Sequence, residues 1–126
     1  MEKKIIITPN APQPIGPYNQ AILIGNTLYC SGQVAIDPKT GNMVQDNIEA
    51  ETNMVMKNIG AVLKAADMDY SNIIKSSIFI SDMNQFGQIN GVYAEYFEKD
   101  YPARETVQVS RLPKDANVEI SVIAVK

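Results

Sequence analysis

Two charged residues near the C-terminal end of the chain have side chains that could do chemistry. Arg104 follows Pro102-Ala103 at the start of a strand-like segment, and Glu119 is the only carboxylate inside the apolar run Val118–Val125. A guanidinium binds a carboxylate through two parallel hydrogen bonds, and charged side chains are rarely buried unless they are paired. The stretch 102–120 therefore indicates a site for a small carboxylate-bearing molecule, with Arg104 as its anchor and Glu119 beside it.

Each of the two residues also has an ordinary interpretation, which the sequence alone leaves open. Arg104 could pair with Glu105 or Asp100 at the surface, and such ion pairs are common and weak. Arg111 fits that surface role better than Arg104 does. Glu119 could instead face solvent on an edge strand, where a charge discourages pairing with other chains.

The composition narrows the possible reactions. The chain has no histidine, which removes Ser-His-Asp and Cys-His catalysis and nearly all zinc and iron sites. No metal is expected, because Asp67 and Asp69 are better explained as solvated groups at a helix end. The single cysteine, Cys30, is interpreted as a small core residue. A net charge of −3 without a basic stripe argues against nucleic acid as a partner.

The length and the apolar runs indicate the general class of protein. A chain of 126 residues is long enough to form a core without disulfides or metal, so one domain over residues 1–126 is expected. No run is long enough to span a membrane, and the N-terminal segment lacks the features of a signal peptide. A cytoplasmic location is expected.

Hydrophobic periodicity predicts the element order βββαβαββ. A tight hairpin is predicted at Gly25-Asn26, and Asp82 is a plausible N-cap of the second helix. The turn-rich segment 113–117 predicts a hairpin between the last two strands, which would bring Glu119 beside the strand that follows Arg104. Strands are predicted at 4–8, 21–24, 27–31, 73–81, 106–112 and 118–125, and the apolar positions of the helices span 48–66 and 86–97.

The last strand predicts that the chain associates with copies of itself. Two helices can cover only one face of a sheet of about six strands, yet Val118–Val125 is apolar on both of its faces. In a chain of this size, another copy is the simplest cover for the second face, and clefts between copies commonly carry sites.

Four segments together resemble the Rid family of reactive-intermediate deaminases, specifically its RidA type. The resemblance extends over nearly the whole chain, and the segment 111–120 is its most specific part. The segments are Pro14-Ile15-Gly16-Pro17-Tyr18, Ser31-Gly32-Gln33, Pro102-Ala103-Arg104 and Arg111-Leu112-Pro113-Lys114-Asp115-Ala116-Asn117-Val118-Glu119-Ile120. The resemblance implies a chorismate-mutase-like α+β fold, with a six-stranded mixed sheet and two helices on one face. It also implies a homotrimer with three sites in the clefts between subunits.

The same resemblance implies hydrolysis of reactive 2-imino or enamine acids, such as 2-iminobutanoate and 2-iminopropanoate, to 2-oxo acids and ammonia. No cofactor would be needed. In family terms, Arg104 looks like the residue that binds the substrate carboxylate, and Glu119 looks like the one that positions or activates water. The residues that match pocket-lining positions are Tyr18, Ser31, Gly32, Asn90 and Thr106, the last of these through its backbone N–H.

Two positions depart from the pattern of many RidA-type members, where a small residue and a cysteine often follow the arginine. Here Glu105 and Thr106 stand instead, and strand alternation is expected to turn Glu105 away from Arg104. An alternative function is that of a non-catalytic module of the same fold, which binds small carboxylates such as 2-oxo acids or has a regulatory role. An RNA-directed role is disfavoured, because the chain is acidic and has no histidine.

Overall fold

The computed structural model describes residues 2–126, in which six strands and two helices follow the predicted order. Their boundaries differ from the predicted ones by a few residues. The elements are β1 (Lys3–Ile6), β2 (Ala21–Ile24), β3 (Thr27–Gln33), α1 (Ile48–Ala65), β4 (Ile73–Ile80), α2 (Phe86–Ala94), β5 (Ala103–Gln108) and β6 (Val118–Val125).

Local sequence signals set the start of both helices and the first tight turn. The Asn47 side chain accepts a hydrogen bond from the Ala50 N–H and so caps α1. Asp82 caps a 3₁₀ turn, Met83–Gln85, that leads directly into α2. Gly25 adopts a φ of 56° between the paired residues Ile24 and Thr27, which confirms the predicted hairpin.

All six strands form one mixed sheet in the order β1-β2-β3-β6-β4-β5. The β4–β5 pair is parallel, and the other neighbouring pairs are antiparallel. The two helices pack against each other and cover one face of this sheet, where the core residues are buried. The predicted α+β architecture, with a six-stranded mixed sheet and two helices on one face, is confirmed.

The predicted hairpin between the last two strands is wrong, because β4 lies between β5 and β6. The chain leaves β4, forms α2 and returns as β5 parallel to β4, which is the usual crossover of a strand–helix–strand unit. Segment 109–117 then carries the chain past β4 to the other side. Arg104 is paired with Ser76 of β4, whereas Glu119 is paired with Phe79.

In the described part of the chain, the second face of the sheet has no helix on it and is rich in apolar side chains. Along β6, every second residue is buried beneath the helices, and the alternate residues, which include Glu119 and Ile123, are half-buried on this open face. Its exposed apolar side chains include Ile5 (52% exposed) and Tyr29 (51%). This uncovered surface is the feature that predicts association with further copies of the chain.

The length and the apolar character of the helices show whether either of them could span a membrane. Across residues 2–126, neither helix combines the length and the apolar character that a transmembrane span requires.

Candidate active site

Arg104 is fixed by α2 at the start of β5. Its Nη1 donates a hydrogen bond to Asn90 Oδ1 at 2.7 Å. The guanidinium carbon also lies 5.1 Å from the ring centroid of Tyr93 and 5.7 Å from that of Phe86, which are cation–π distances. These three contacts, all from one helix, hold the planar group in one position. No carboxylate of residues 2–126 lies within ion-pair distance of it.

Among the described residues, the exposed ion pairs of this region are formed by Glu105 and Arg111, and not by Arg104. Glu105 accepts a hydrogen bond from the Ser77 hydroxyl and forms an ion pair with Lys75 at 2.9 Å, and both contacts lower the pKa of its carboxyl. It therefore faces away from Arg104, as strand alternation predicts. Arg111 pairs with Asp115 at 2.6 Å on the exposed surface.

Arg104 lies in the wall of a cavity of about 340 Å³. Its other lining residues come from the end of α2 and from the segment before β5: Asn90, Tyr93, Ala94, Tyr101 and Pro102. Two of the predicted site residues, Arg104 and Asn90, are therefore brought together here. A small carboxylate in this cavity would meet a guanidinium that is already oriented.

Thr106 points to the same side of β5 as Arg104, two residues further along. Its hydroxyl is buried and has no hydrogen-bond partner among residues 2–126. Because the Val109 N–H bonds to Ile80 O of β4 and strand backbone groups alternate in direction, the Thr106 N–H points to the free edge of the sheet. This N–H is available to a ligand, as the role predicted for Thr106 requires.

Glu119 lies in a different cavity, of about 450 Å³, which opens on the uncovered side of the sheet. Burial raises the pKa of its carboxyl above the ordinary value. Ser31 is tied to the neighbouring loop, because its hydroxyl donates to Asn19 O at 2.6 Å. The complete lining is Ile15, Tyr18, Ser31, Gly32, Val34, Ile36, Pro113, Lys114 and Glu119, so four predicted site residues meet here.

Gly32 is required by the position of the Glu119 carboxylate. A Cβ on residue 32 would lie 2.7 Å from Glu119 Oε1 and 2.9 Å from its Cδ, which is closer than carbon atoms approach. The residue lies where the pairing of β3 with β6 shifts register, between Cys30 and Gln33. The absence of a side chain therefore lets the carboxylate rest against the β3 backbone.

Replacement of Gly32 with alanine is expected to lower turnover much more than stability. The flexible end of Glu119 can move away from the new methyl group at little cost, but the carboxylate then leaves its position. If the Glu119 carboxylate serves as a general base, its displacement should lower kcat about tenfold or more, with a midpoint of urea unfolding close to wild type. Gly87→Ala, at an exposed position with nothing within 4 Å of the added Cβ, is the control and should retain kcat. Equal activity of the two variants would contradict the positioning role.

Arg104 and Glu119 do not meet within one chain. Paired residues of neighbouring strands point to the same face of a sheet, and Arg104 pairs with Ser76, which is buried and bonded to Tyr93 of α2. Glu119 pairs with Phe79, three residues further along β4, and three residues is an odd step that reverses the face. The arginine therefore faces the helices, and the glutamate faces the open side.

Comparisons with known proteins agree over nearly the full length. A family sequence model described as endoribonuclease L-PSP matches residues 8–126. A RutC family protein of Pyrococcus horikoshii is 52% identical over 98% of both chains. The chain belongs to the Rid family. A Bos taurus protein named 2-iminobutanoate/2-iminopropanoate deaminase is 44% identical to this Rid chain, over 98% of this chain and 90% of the relative.

A similar solved structure confirms the fold. The crystal structure of E. coli TdcF with bound serine superposes with a TM-score of 0.94 and is 40% identical, over 98% of each chain. The resemblance read from the sequence is therefore confirmed, and so is the chorismate-mutase-like fold of the Rid family.

One buried acidic residue that supports this Rid site was not predicted from the sequence. Glu51 of α1 is 1% exposed. Its Oε2 accepts from the Asn117 backbone N–H at 2.7 Å, and its Oε1 accepts from the Asn117 side-chain amide at 2.8 Å. Asn117 in turn accepts two hydrogen bonds from Ser81. Glu51 thus anchors the start of β6, two residues before Glu119.

A sequence signal for Glu51 was present. The residue lies three positions after Ile48 and four before Val55, both of which are buried in α1, so helical periodicity places it on the buried face. A carboxylate at such a position needs hydrogen-bond partners. Its partner Asn117, however, comes from a loop 66 residues away in sequence.

Proposed function

We propose that this chain hydrolyses small 2-imino acids and their enamine tautomers, such as 2-iminobutanoate and 2-iminopropanoate, to 2-oxo acids and ammonia, without a cofactor. The observation that carries the proposal is the Arg104 guanidinium, which α2 holds at a cavity without a carboxylate partner among residues 2–126. The name of the Bos taurus relative and the serine bound to TdcF, a small carboxylate-bearing molecule, support it.

In this proposal, Arg104 binds the substrate carboxylate and thereby fixes the position of C2. Its planar fork provides two parallel N–H donors, and the free N–H of Thr106 lies on the same strand edge. Since a protonated imine is already electrophilic at C2, orientation of the substrate supplies much of the required rate enhancement. Tyr18, Ser31 and Gly32 shape the opposite wall.

Glu119 then acts on the water that attacks C2. The carboxylate accepts a proton from water while the water oxygen bonds to C2, which gives a carbinolamine. Glu119 then gives that proton to nitrogen, the C2–N bond breaks and ammonia leaves. The again ionised Glu119 takes the proton of the remaining hydroxyl, so that the carbinolamine oxygen becomes the carbonyl of the 2-oxo acid, and this proton passes to ammonia. The raised pKa of Glu119 makes it a stronger base than an ordinary carboxylate.

A complete site requires two copies of the chain, because Arg104 and Glu119 lie on opposite faces of one sheet. We propose a homotrimer in which the Arg104 cavity of one copy meets the Glu119 cavity of the next. The apolar open face, with Ile5 and Tyr29 exposed, supports such an association. Monomeric behaviour in sedimentation at micromolar concentration would contradict it.

The activity can be tested with a pyridoxal-phosphate threonine dehydratase as the source of 2-iminobutanoate. Semicarbazide traps free imine as a semicarbazone, so added protein is expected to lower the rate of semicarbazone formation in proportion to its concentration. An unchanged rate would reject the deaminase. If the protein nevertheless bound 2-oxobutanoate saturably, the non-catalytic carboxylate-binding module would be the correct function.

The shared site can be tested by mixing two variants of very low activity, Arg104→Ala and Glu119→Gln. If the two residues come from different copies, random assembly of equal amounts leaves both intact in about a quarter of the sites. Co-expression is therefore expected to restore about a quarter of the wild-type activity. No recovery in demonstrably mixed oligomers would show that each chain uses its own pair.

The acidic limb of the pH–rate profile is expected to report Glu119. The base must be ionised, so kcat falls as the pH drops through its pKa. Because burial raises that pKa, the limb should lie above the usual value for Glu, which is about 4.3. Glu119→Gln should lower kcat about a hundredfold and remove the limb. A Gln variant with the same limb as wild type would exclude Glu119 as the base.

A further inference from the structure

A cavity of about 450 Å³ lies between the turn that precedes β4 and the segment that follows α2. Its volume is typical of small-molecule sites. It shares no lining residue with the cavities at Arg104 and Glu119, so the proposed reaction does not use it. Its walls are formed by Asp69, Tyr70, Ser71, Tyr96, Phe97, Glu98, Lys99 and Asp100.

One wall of this cavity is aromatic. The Tyr70 ring centroid lies 5.1 Å from that of Tyr96 and 6.4 Å from that of Phe97. The Tyr70 hydroxyl donates to Met56 O at 2.8 Å, and the Tyr96 hydroxyl donates to Asn53 Oδ1 at 2.7 Å. Because residues of α1 accept hydrogen bonds from both hydroxyls, the rings contribute mainly carbon surface and π electrons to the cavity.

The aromatic wall is held in place by close packing. A Cβ on Gly60 of α1 would overlap the Tyr70 hydroxyl, so glycine at this position lets the ring approach the helix. On its other side, Phe97 packs against Tyr93 with ring centroids 4.8 Å apart. The rings are therefore fixed before any ligand arrives.

The rim of the cavity is negative. Asp69, Glu98 and Asp100 contribute three carboxylates, against the single ammonium of Lys99. Within residues 2–126, no ion pair joins Lys99 to any of them. Hydrogen bonds from the Ser71 hydroxyl and N–H lower the pKa of Asp69, which keeps it ionised. The charge favours a cationic ligand over an anionic one.

A metal ion does not suit this arrangement. Hard cations need several oxygen ligands that converge on one point, and no group of three or more such side chains in residues 2–126 is close enough to hold one. An aromatic surface, in contrast, attracts organic cations through their diffuse charge and their apolar groups.

We propose that this cavity binds a small organic cation of the alkylammonium class. Its carbon groups lie against Tyr70, Tyr96 and Phe97, and its charge is balanced by Glu98 and Asp100 on the rim. This site is separate from the imine-hydrolysing one.

The experiment uses choline as the probe and its uncharged analogue 3,3-dimethylbutan-1-ol, which has the same shape, as the matched ligand. The full chain is titrated with each, and the backbone amide signals of residues 69–71 and 96–100 are followed by NMR. We expect saturable shifts confined to these segments, with choline bound about fivefold or more tightly than the alcohol. Equal affinity, shifts elsewhere, or no saturation at tens of millimolar choline would overturn the proposal.

Variants distinguish the contribution of the charge to choline binding from that of the aromatic surface. The double variant Glu98→Gln/Asp100→Asn is expected to weaken choline about threefold or more and to leave the alcohol unchanged. Asp100 has a φ of 54°, which asparagine tolerates. Asp46→Asn, an exposed change outside the cavity, is the control and should bind choline as wild type does. Unchanged choline binding in the double variant, with its other NMR signals intact, would overturn the proposal.

Discussion

Replacement of Arg104 with alanine is expected to lower kcat/KM for 2-iminobutanoate by about a hundredfold or more. The side chain is the cation that Asn90, Tyr93 and Phe86 hold at its cavity, and removal of one partner of a buried, hydrogen-bonded charge pair costs about 2–5 kcal/mol. Arg104→Lys should also lose most of the activity, because an ammonium cannot form the two parallel bonds of a guanidinium. Initial rates in the semicarbazide assay measure both effects.

Arg111→Ala provides the matched control. Arg111 is also an arginine of the same region, but among residues 2–126 its ion pair is the exposed one with Asp115, and such pairs contribute little. Its kcat/KM should stay within about twofold of wild type. If Arg104→Ala were as active as Arg111→Ala while both remained folded, the carboxylate anchor would have to be sought elsewhere.

Glu51→Ala is expected to lower the free energy of unfolding by about 3 kcal/mol. The change leaves the part-buried Asn117 N–H and side-chain amide without their acceptor, and a fully buried donor left unsatisfied costs about 1–3 kcal/mol. It also leaves space at a fully buried position of α1. Urea unfolding, at one protein concentration for all variants because assembly contributes to stability, gives the difference.

Glu49→Ala is the control for this stability effect. Glu49 is in the same first turn of α1, so both changes remove the same favourable interaction with the helix dipole. Its side chain is exposed and accepts a long bond, 3.3 Å, from Gln88. Its loss should cost less than about 1 kcal/mol. Similar losses in the two variants would show that Glu51 matters only through the dipole and not through Asn117.

Local patterns predicted the helices and strands of the fold. The turn at 113–117 did not predict which strand lies next to β6. Segment 113–117 has the residue types of a hairpin loop, and Lys114 and Asp115 do adopt left-handed φ values of 61° and 52°. The turn nevertheless redirects a longer connection past β4. The strand–helix–strand order β4-α2-β5 was the better guide, because such a unit returns parallel to its first strand.

The site residues were easier to nominate than to place. Arg104 and Glu119 were nominated from their types and the family resemblance, and this nomination stays a prediction; Arg111 has the surface ion pair that was predicted for it. Their separation onto opposite faces depends on the register of three strands, because a one-residue shift would reverse each face. Glu51 was missed because its need for a partner is met by Asn117, which only the folded chain brings near.

The opposite orientation of Arg104 and Glu119 also affects how rates should scale with enzyme concentration. If an isolated chain holds only half of a site on each side of its sheet, dissociated subunits are inactive. The rate per unit mass of protein then falls upon dilution. Plots of rate against enzyme concentration would then curve upward at low concentration and become linear once assembly is complete. Dilute assays would understate the intrinsic turnover, and prolonged incubation of dilute stocks would mimic inactivation that concentrating the protein reverses.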